Sequence, residues 1–239
     1  MKKTFFILGV FLTLFGSLGF AEFIGSHRII SLVPSQTELL FELGFGKQLV
    51  GVSSFCNYPP ETSSLPKLGG VELDLEKLVS LKPSVVMDID GMHRRYELFF
   101  RQVGLKFRDY PIKHLADIPL AAKQMADDLG ERERGIAFEK KWNDALNAIP
   151  RRNEHSPRVY LEIWDTPLQA AGPTSFMGEM VQMAGGKNIF SDADGSYPVV
   201  DPEEVLKANP EVILLAYPLG NIQSVAQRPG WSEITAIRK

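Results

Sequence analysis

The residues best suited to chemistry in this chain are aromatic rather than nucleophilic. Phe55 and Tyr58 in the first half, and Trp164, Phe176 and Tyr197 in the second, fall in or beside loops at the ends of strand-like runs. Aromatic side chains facing one another across a cleft hold a large flat ligand by burying area and by stacking. Ser35, in the turn after the first strand-like run, and Ile89, Asp90 and His93, at the end of another, share that setting. The ends of parallel strands are where open α/β sheets bind their ligands. Any one of these aromatics could instead pack under its own loop, but five spread over both halves favour a shared cleft.

Groups for covalent or acid–base work are sparse. There is no G-x-S-x-G elbow, and Ser53, Ser54 and Ser175 lack its flanking glycines. No phosphate-binding or dinucleotide loop is present, and Gly44-Phe45-Gly46 reads as a helix stop. The four histidines, His27, His93, His114 and His155, are scattered, and Cys56 is the only cysteine, so a zinc cage is not expected. Cys56 reads as a small buried hydrophobe and rules out an internal disulfide. An enzyme would have to draw on Asp88, Asp90, His93 and Asp165, whose spacing carries no specific signal.

One unit that must position these loops occurs twice. Residues 74–87 read DLEKLVSLKPSVVM and residues 201–214 read DPEEVLKANPEVIL. Asp74 matches Asp201, Glu76 matches Glu203, and Pro83 matches Pro210. In each copy the aspartate suits a helix N-cap, because its carboxylate accepts hydrogen bonds from free first-turn amides. The glutamate two positions later sits where the helix dipole favours negative charge. The proline ends the helix, and a short apolar run predicts a buried strand after it. Each copy therefore predicts a short acidic-tipped helix feeding a core strand, with one glutamate displayed from the same place on each half.

Around these units the chain alternates strand and helix, which predicts parallel α/β layers. Strands are expected at 28–33, 49–53, up to Ile89, at 106–110 and at 159–164, with helices at 36–43, 96–103 and 175–184. The equal spacing of Glu38 to Gly44 and Glu179 to Gly185 adds to the internal likeness. Residues 114–150 show apolar positions at helical spacing from Leu120 through Met125, Leu129, Phe138 and Trp142 to Ile149. Taken as one element, this is a helix of roughly 30 residues and about 45 Å, the length of a strut between two lobes. Gly130 and Gly135 mark where such a helix would kink or break. The expected division is a signal peptide over 1–21, an N-terminal α/β lobe over 22–113, a bridging helix over 114–150 and a C-terminal α/β lobe over 151–239. The second half lacks a counterpart of the strand at 106–110, so its C-terminus is expected to be truncated.

The start of the chain, MKKTFFILGVFLTLFGSLGFAEF, has the charged entry, apolar run and small-residue exit of a secretory leader, cut after Ala21. No cysteine stands at that exit, so a lipid anchor is not signalled. The formal net charge of −3, more negative once Lys2 and Lys3 are removed, gives no reason to expect nucleic acid as a partner.

The runs RIISLVPSQTELLFELGFGKQLVGVSSFCNYPP, LPKLGG, DLEKLVSLKPSVVM, AGPTSFMGEMVQMAGGKNIF and YPVVDPEEVLKANPEVILL resemble periplasmic binding proteins of vitamin B12 and iron-complex ABC importers. The likeness extends from about residue 28 to 231 and implies two lobes bridged by one long helix, with the ligand between them. It also implies a monomer that delivers its ligand to an inner-membrane ABC permease and turns nothing over. In B12-binding members one glutamate on each lobe meets permease arginines, and those positions match Glu76 and Glu203. Among the ligand aromatics of that family, Phe55 stands for a tyrosine, Tyr197 for a tryptophan and Ile89 for another tryptophan, while the tryptophan near Gly70 has no counterpart. The resemblance therefore implies a corrinoid ligand first, with a ferric siderophore or haem close behind. For haem, Tyr58 or His93 is the residue expected to reach the iron. A secreted enzyme on the same scaffold, or a metal-ion receptor of related architecture, is the competing expectation.

Overall fold

The computed structural model describes residues 27–149, 155–217 and 220–238. The expected leader over 1–21 and most of the polar break after Ile149 lie outside them. In the first lobe β1 (Ile29–Ser31) lies between β2 (Leu49–Val52) and β3 (Val85–Asp88), with β4 (Lys106–Asp109) outside β3. All three pairings are parallel. Both faces of the central strands are buried, as a parallel sheet requires. Ile29, Val85 and Met87 point to one side, against α1 (Pro34–Glu42) and α4 (Asp117–Asp128). Ile30 and Val86 point to the other, against Leu78 of α2 (Leu75–Ser80) and Phe100 of α3 (Glu97–Gln102).

The bridging segment differs from the single long helix that its apolar spacing predicts. It forms two helices, α4 and α5 (Arg132–Asn147), separated at Gly130, which takes a left-handed φ of 74°. A side chain resists that conformation and glycine does not, so the chain turns there. Helix α5 then doubles back along α4. At Gly135 a Cβ would come within 2.7 Å of the Lys123 Cα, so glycine is what permits the close approach. Arg134 donates to the Leu43 and Gly44 carbonyls and stacks on Phe45, and Lys141 pairs with Glu42. The α4–α5 hairpin is thus tied to the first lobe, and α5 alone, at about 24 Å, leads towards the second.

The second lobe is built on β5 (Arg158–Asp165). On one side it pairs in parallel with β8 (Val212–Leu215); on the other it pairs first with β7 (Lys187–Asn188) and then with β6 (Leu168–Ala170). The β6 pairing is antiparallel, a departure from the uniformly parallel layer expected. The two-residue connection Thr166-Pro167 is too short for a crossover, so a hairpin is the available geometry. Helices α6 (Phe176–Met183) and α7 (Pro202–Ala208) join the strands, and α8 (Ile222–Ala226) and α9 (Thr235–Arg238) follow β8.

The repeated unit is realised in both lobes. Asp74 caps α2 by accepting from the Lys77 amide, and Asp201 caps α7 with Glu204 reaching back to its own amide, a full capping box. Glu76 and Glu203 each occupy the second helical position and are exposed. The residue before each proline, Lys82 and Asn209, adopts a left-handed φ of 48° and 44°. The likeness of the two copies thus extends to the backbone turn that feeds each core strand.

Candidate functional site

A cleft of about 650 Å³ opens between the lobes at the carboxyl ends of their strands. Loops after β3 and β4 supply its first wall, with Asp90, Arg94, Ile112, Lys113 and His114. The second wall comes from the start of α6 and the loop before α7, with Thr174, Phe176, Ser196 and Tyr197. The lobes also touch directly. Glu179, in the first turn of α6, accepts from the Leu115 amide at 2.8 Å and meets His114 Nδ1 at 2.5 Å. Tyr197 and Asp90 face each other across the opening: burial, with the Asp90 charge added, raises the Tyr197 phenol above its ordinary pKa.

Aspartates hold the loops of the first wall in place. Asp90, at a left-handed φ of 55°, accepts from the Ile112 amide at 3.0 Å. Asp109 accepts from the Gly91 amide at 3.0 Å and from Arg94 at 2.7 Å. Asp117 accepts from the amides of His114 and Lys113, and those two bonds hold its carboxyl below the usual range. Each carboxylate therefore satisfies loop N–H groups that have no strand or helix partner.

Of the site residues expected from sequence, Asp90, Phe176 and Tyr197 line the cleft. Phe55 and Tyr58, in the loop after β2, and Trp164, near the end of β5, have about half their surface exposed, 53%, 61% and 47%, and lie outside the cavity proper. Ser35 is exposed in the first turn of α1 and does not line it. Phe55 packs over Gly70, where a Cβ would lie 2.6 Å from its ring. The missing tryptophan near Gly70 is thus matched by a glycine that makes room for the neighbouring phenylalanine.

Two expectations are corrected. Ile89 is not a ligand contact: it is buried in the core between the sheet and α3. His93 does not stand open to the cleft as a ligand-binding residue. It is fully buried, with Nδ1 at 2.9 Å from Asp88 Oδ1 and Nε2 at 3.1 Å from the Gly70 carbonyl. Asp88, itself fully buried, also accepts the His93 amide at 2.8 Å. Asp88 and His93 are therefore closed off from the cleft, and neither reaches a ligand there. Among the described residues no group of three or more side chains is arranged to hold a metal ion.

Arg94, Lys113, His114, Thr174 and Ser196 were not singled out from the sequence. The signal available was positional, since residues 110–114 directly follow a parallel strand and Thr174 precedes a helix cap.

Two α/β lobes that share a cleft at their strand ends define a bilobal binding protein. The periplasmic binding protein family is matched over residues 29–239, and the chain belongs to that family. It is 29% identical over 205 residues to a vitamin B12-binding protein of Pectobacterium carotovorum, covering 83% of this chain and 74% of that one. The periplasmic heme-binding protein of Roseiflexus sp. RS-1 in apo form superposes with a TM-score of 0.80 at 27% identity, covering 90% of this chain and 87% of that one. The periplasmic vitamin B12-binding protein of Vibrio cholerae gives a TM-score of 0.67 at 25% identity, over 89% and 84% of the two chains.

Proposed function

We propose that this chain captures a metal-centred ligand between its lobes in the periplasm and delivers it to the permease of an ABC importer. The observation that carries this reading is the interlobe cleft of about 650 Å³, walled by both lobes and flanked by half-exposed aromatics on each. That volume lies within the usual range for small-molecule sites, roughly 300–1,000 Å³. Family membership and the B12- and heme-binding relatives support the ligand class: a corrinoid, or else a haem or ferric siderophore. For an iron-centred ligand, Tyr58 is the residue left to approach the metal, because His93 is enclosed.

Delivery rests on Glu76 and Glu203, exposed at the same position of α2 and α7. Charges so placed suit docking to permease arginines, with a monomer as the carrier. Export by a leader over 1–21 would bring the chain to that compartment.

Titration of purified protein with cobalamin, cobinamide, haem and a ferric siderophore panel, read by tryptophan fluorescence and visible absorbance, tests the reading. One-to-one binding of one of these without turnover is expected. Failure of all four to bind would overturn it.

A further inference from the structure

Beneath Trp164 lies an ion pair, buried at its carboxylate and part-buried at its arginine, that takes no part in lining the cleft. Glu162 is fully buried on the central strand β5. Its Oε2 accepts from Arg228 Nη1 at 2.6 Å, and its Oε1 accepts from Arg228 Nη2 at 2.8 Å and from the Tyr217 hydroxyl at 2.7 Å. Taking a carboxylate and a guanidinium out of water is costly, and well-packed apolar residues often serve stability as well or better. The arrangement is therefore informative for where it leads.

It leads to the surface. The Tyr217 ring lies against the Trp164 ring, with centroids 6.1 Å apart and planes tilted by 56°. Trp164 follows Glu162 by two positions on β5, just past the slip in its pairing with β6, and its Nε1 donates to the Thr166 carbonyl at 3.0 Å. The indole is thus fixed at its nitrogen by the hairpin and on one side by Tyr217. Tyr217, in turn, is fixed by Glu162. Burial, with the Glu162 hydrogen bond added, pushes the Tyr217 hydroxyl up to about 12, so it remains a donor throughout the neutral range. Arg228 supplies the opposite charge and itself stacks on the buried Trp231, 4.7 Å above the ring.

We propose that Glu162 is a positioning residue that acts through the Tyr217 hydroxyl to orient Trp164 as an aromatic wall for a flat ligand. The proposal rests on the binding function above, and it commits the second lobe to recognising a π-face rather than a polar edge. Tyr217 couples the wall to the lobe interior, so the ring orientation is set before the ligand arrives.

The test uses the full chain labelled with 5-fluorotryptophan. Its three tryptophans, Trp142, Trp164 and Trp231, give three fluorine resonances, and Trp164→Phe identifies the one of interest. In ligand-free protein, Tyr217→Phe and Glu162→Gln should shift or broaden the Trp164 resonance and leave that of Trp142 in place. Tyr217→Phe removes only a hydroxyl, so it reports even if Glu162→Gln fails to fold. With whichever of cobalamin, haem or ferric siderophore the unmodified protein binds, Tyr217→Phe should weaken binding about fivefold, the order of one ordinary hydrogen bond's net contribution. An unmoved Trp164 resonance in Tyr217→Phe overturns the proposal whatever binds. A moved resonance with unchanged affinity overturns the wall. A moved resonance when the unmodified protein binds none of the probes upholds the clamp and sinks the ligand reading instead.

Discussion

Replacing His93 by leucine should cost stability out of proportion to the volume changed. The imidazole sits between two acceptors, the Asp88 carboxylate at 2.9 Å and the Gly70 carbonyl at 3.1 Å. A neutral ring carries one N–H and satisfies only one of them, whereas the imidazolium satisfies both. Leucine leaves Asp88 with the His93 amide alone, in a site from which water is excluded. Stranding one partner of a buried charged pair costs about 3–5 kcal/mol. Urea unfolding at pH 6 measures it, with Asp88→Asn/His93→Leu as the control. The double variant carries no buried charge and should recover a large part of the loss. A loss below about 1 kcal/mol for His93→Leu would refute the reasoning, since that is no more than an ordinary neutral hydrogen bond.

The same geometry fixes a pH dependence. Burial lowers the His93 pKa, but the Asp88 hydrogen bond, the Gly70 carbonyl and the Asp88 charge together raise it above its ordinary value, against a smaller opposing effect of Arg95. A pKa raised on folding means that the folded state holds the proton more tightly. The contribution is therefore complete below the unfolded value of about 6.5 and is lost as pH climbs through the folded pKa. Wild-type stability should decline across that alkaline window, and His93→Leu should lack this component. A parallel decline in both proteins would show that the ring is not the titrating group.

Three further outcomes are expected. Gly70→Ala puts a Cβ 2.6 Å from the Phe55 ring, so the ring must lift; ligand affinity should change while the melting temperature moves little, as a titration beside a thermal scan will show. Glu76→Ala with Glu203→Ala should leave ligand binding intact and cost at most about 1 kcal/mol per helix start. Transport in reconstituted vesicles should nevertheless fall, and wild-type docking should weaken with salt; equal transport by the double variant removes the docking role. Gly135→Ala brings a Cβ to 2.7 Å from the Lys123 Cα, and the two helices must separate. Overpacking of this kind costs about 1–3 kcal/mol, measurable by urea unfolding, and a neutral result would argue against the tight hairpin.

What the sequence disclosed follows from how local each signal is. The acidic helix tips were legible because an N-cap aspartate, a first-turn glutamate and a helix-ending proline act within one turn of backbone. Asp74 and Asp201 accordingly cap α2 and α7. The apolar runs of β1 and β3 were legible because strands buried on both faces leave no polar alternation. The single bridging helix was misjudged because apolar spacing records which face is buried and not whether the axis continues. Gly130 and Gly135, the positions where a break is expected, act in different ways, one as a left-handed turn and the other as a contact between helices. The His93 error has the same root. A histidine in a loop after a parallel strand reads as open to a ligand, and only tertiary placement shows Asp88 and Gly70 closing on both ring nitrogens. The Glu162 pair was beyond local reading, since its partners lie 55 and 66 positions further along the chain.

The distribution of carboxylates bears on what the cleft can do. Asp88 is enclosed with His93, Asp90 holds the Ile112 amide with one oxygen, and Asp109 holds the Gly91 amide and Arg94. Glu179 is taken by the lobe-to-lobe contact, and Glu162 by Arg228 and Tyr217. These acidic groups fix backbone or side-chain geometry. Asp90, Arg94, Asp109, Lys113 and His114 line the opening together with the Thr174 and Ser196 hydroxyls and the Phe176 and Tyr197 rings. The acids bonded to these loops keep them in place. Asp90→Asn should therefore disturb the Ile112 loop and ligand affinity together. If that loop kept its amide exchange protection while affinity fell, Asp90 would instead be touching the ligand.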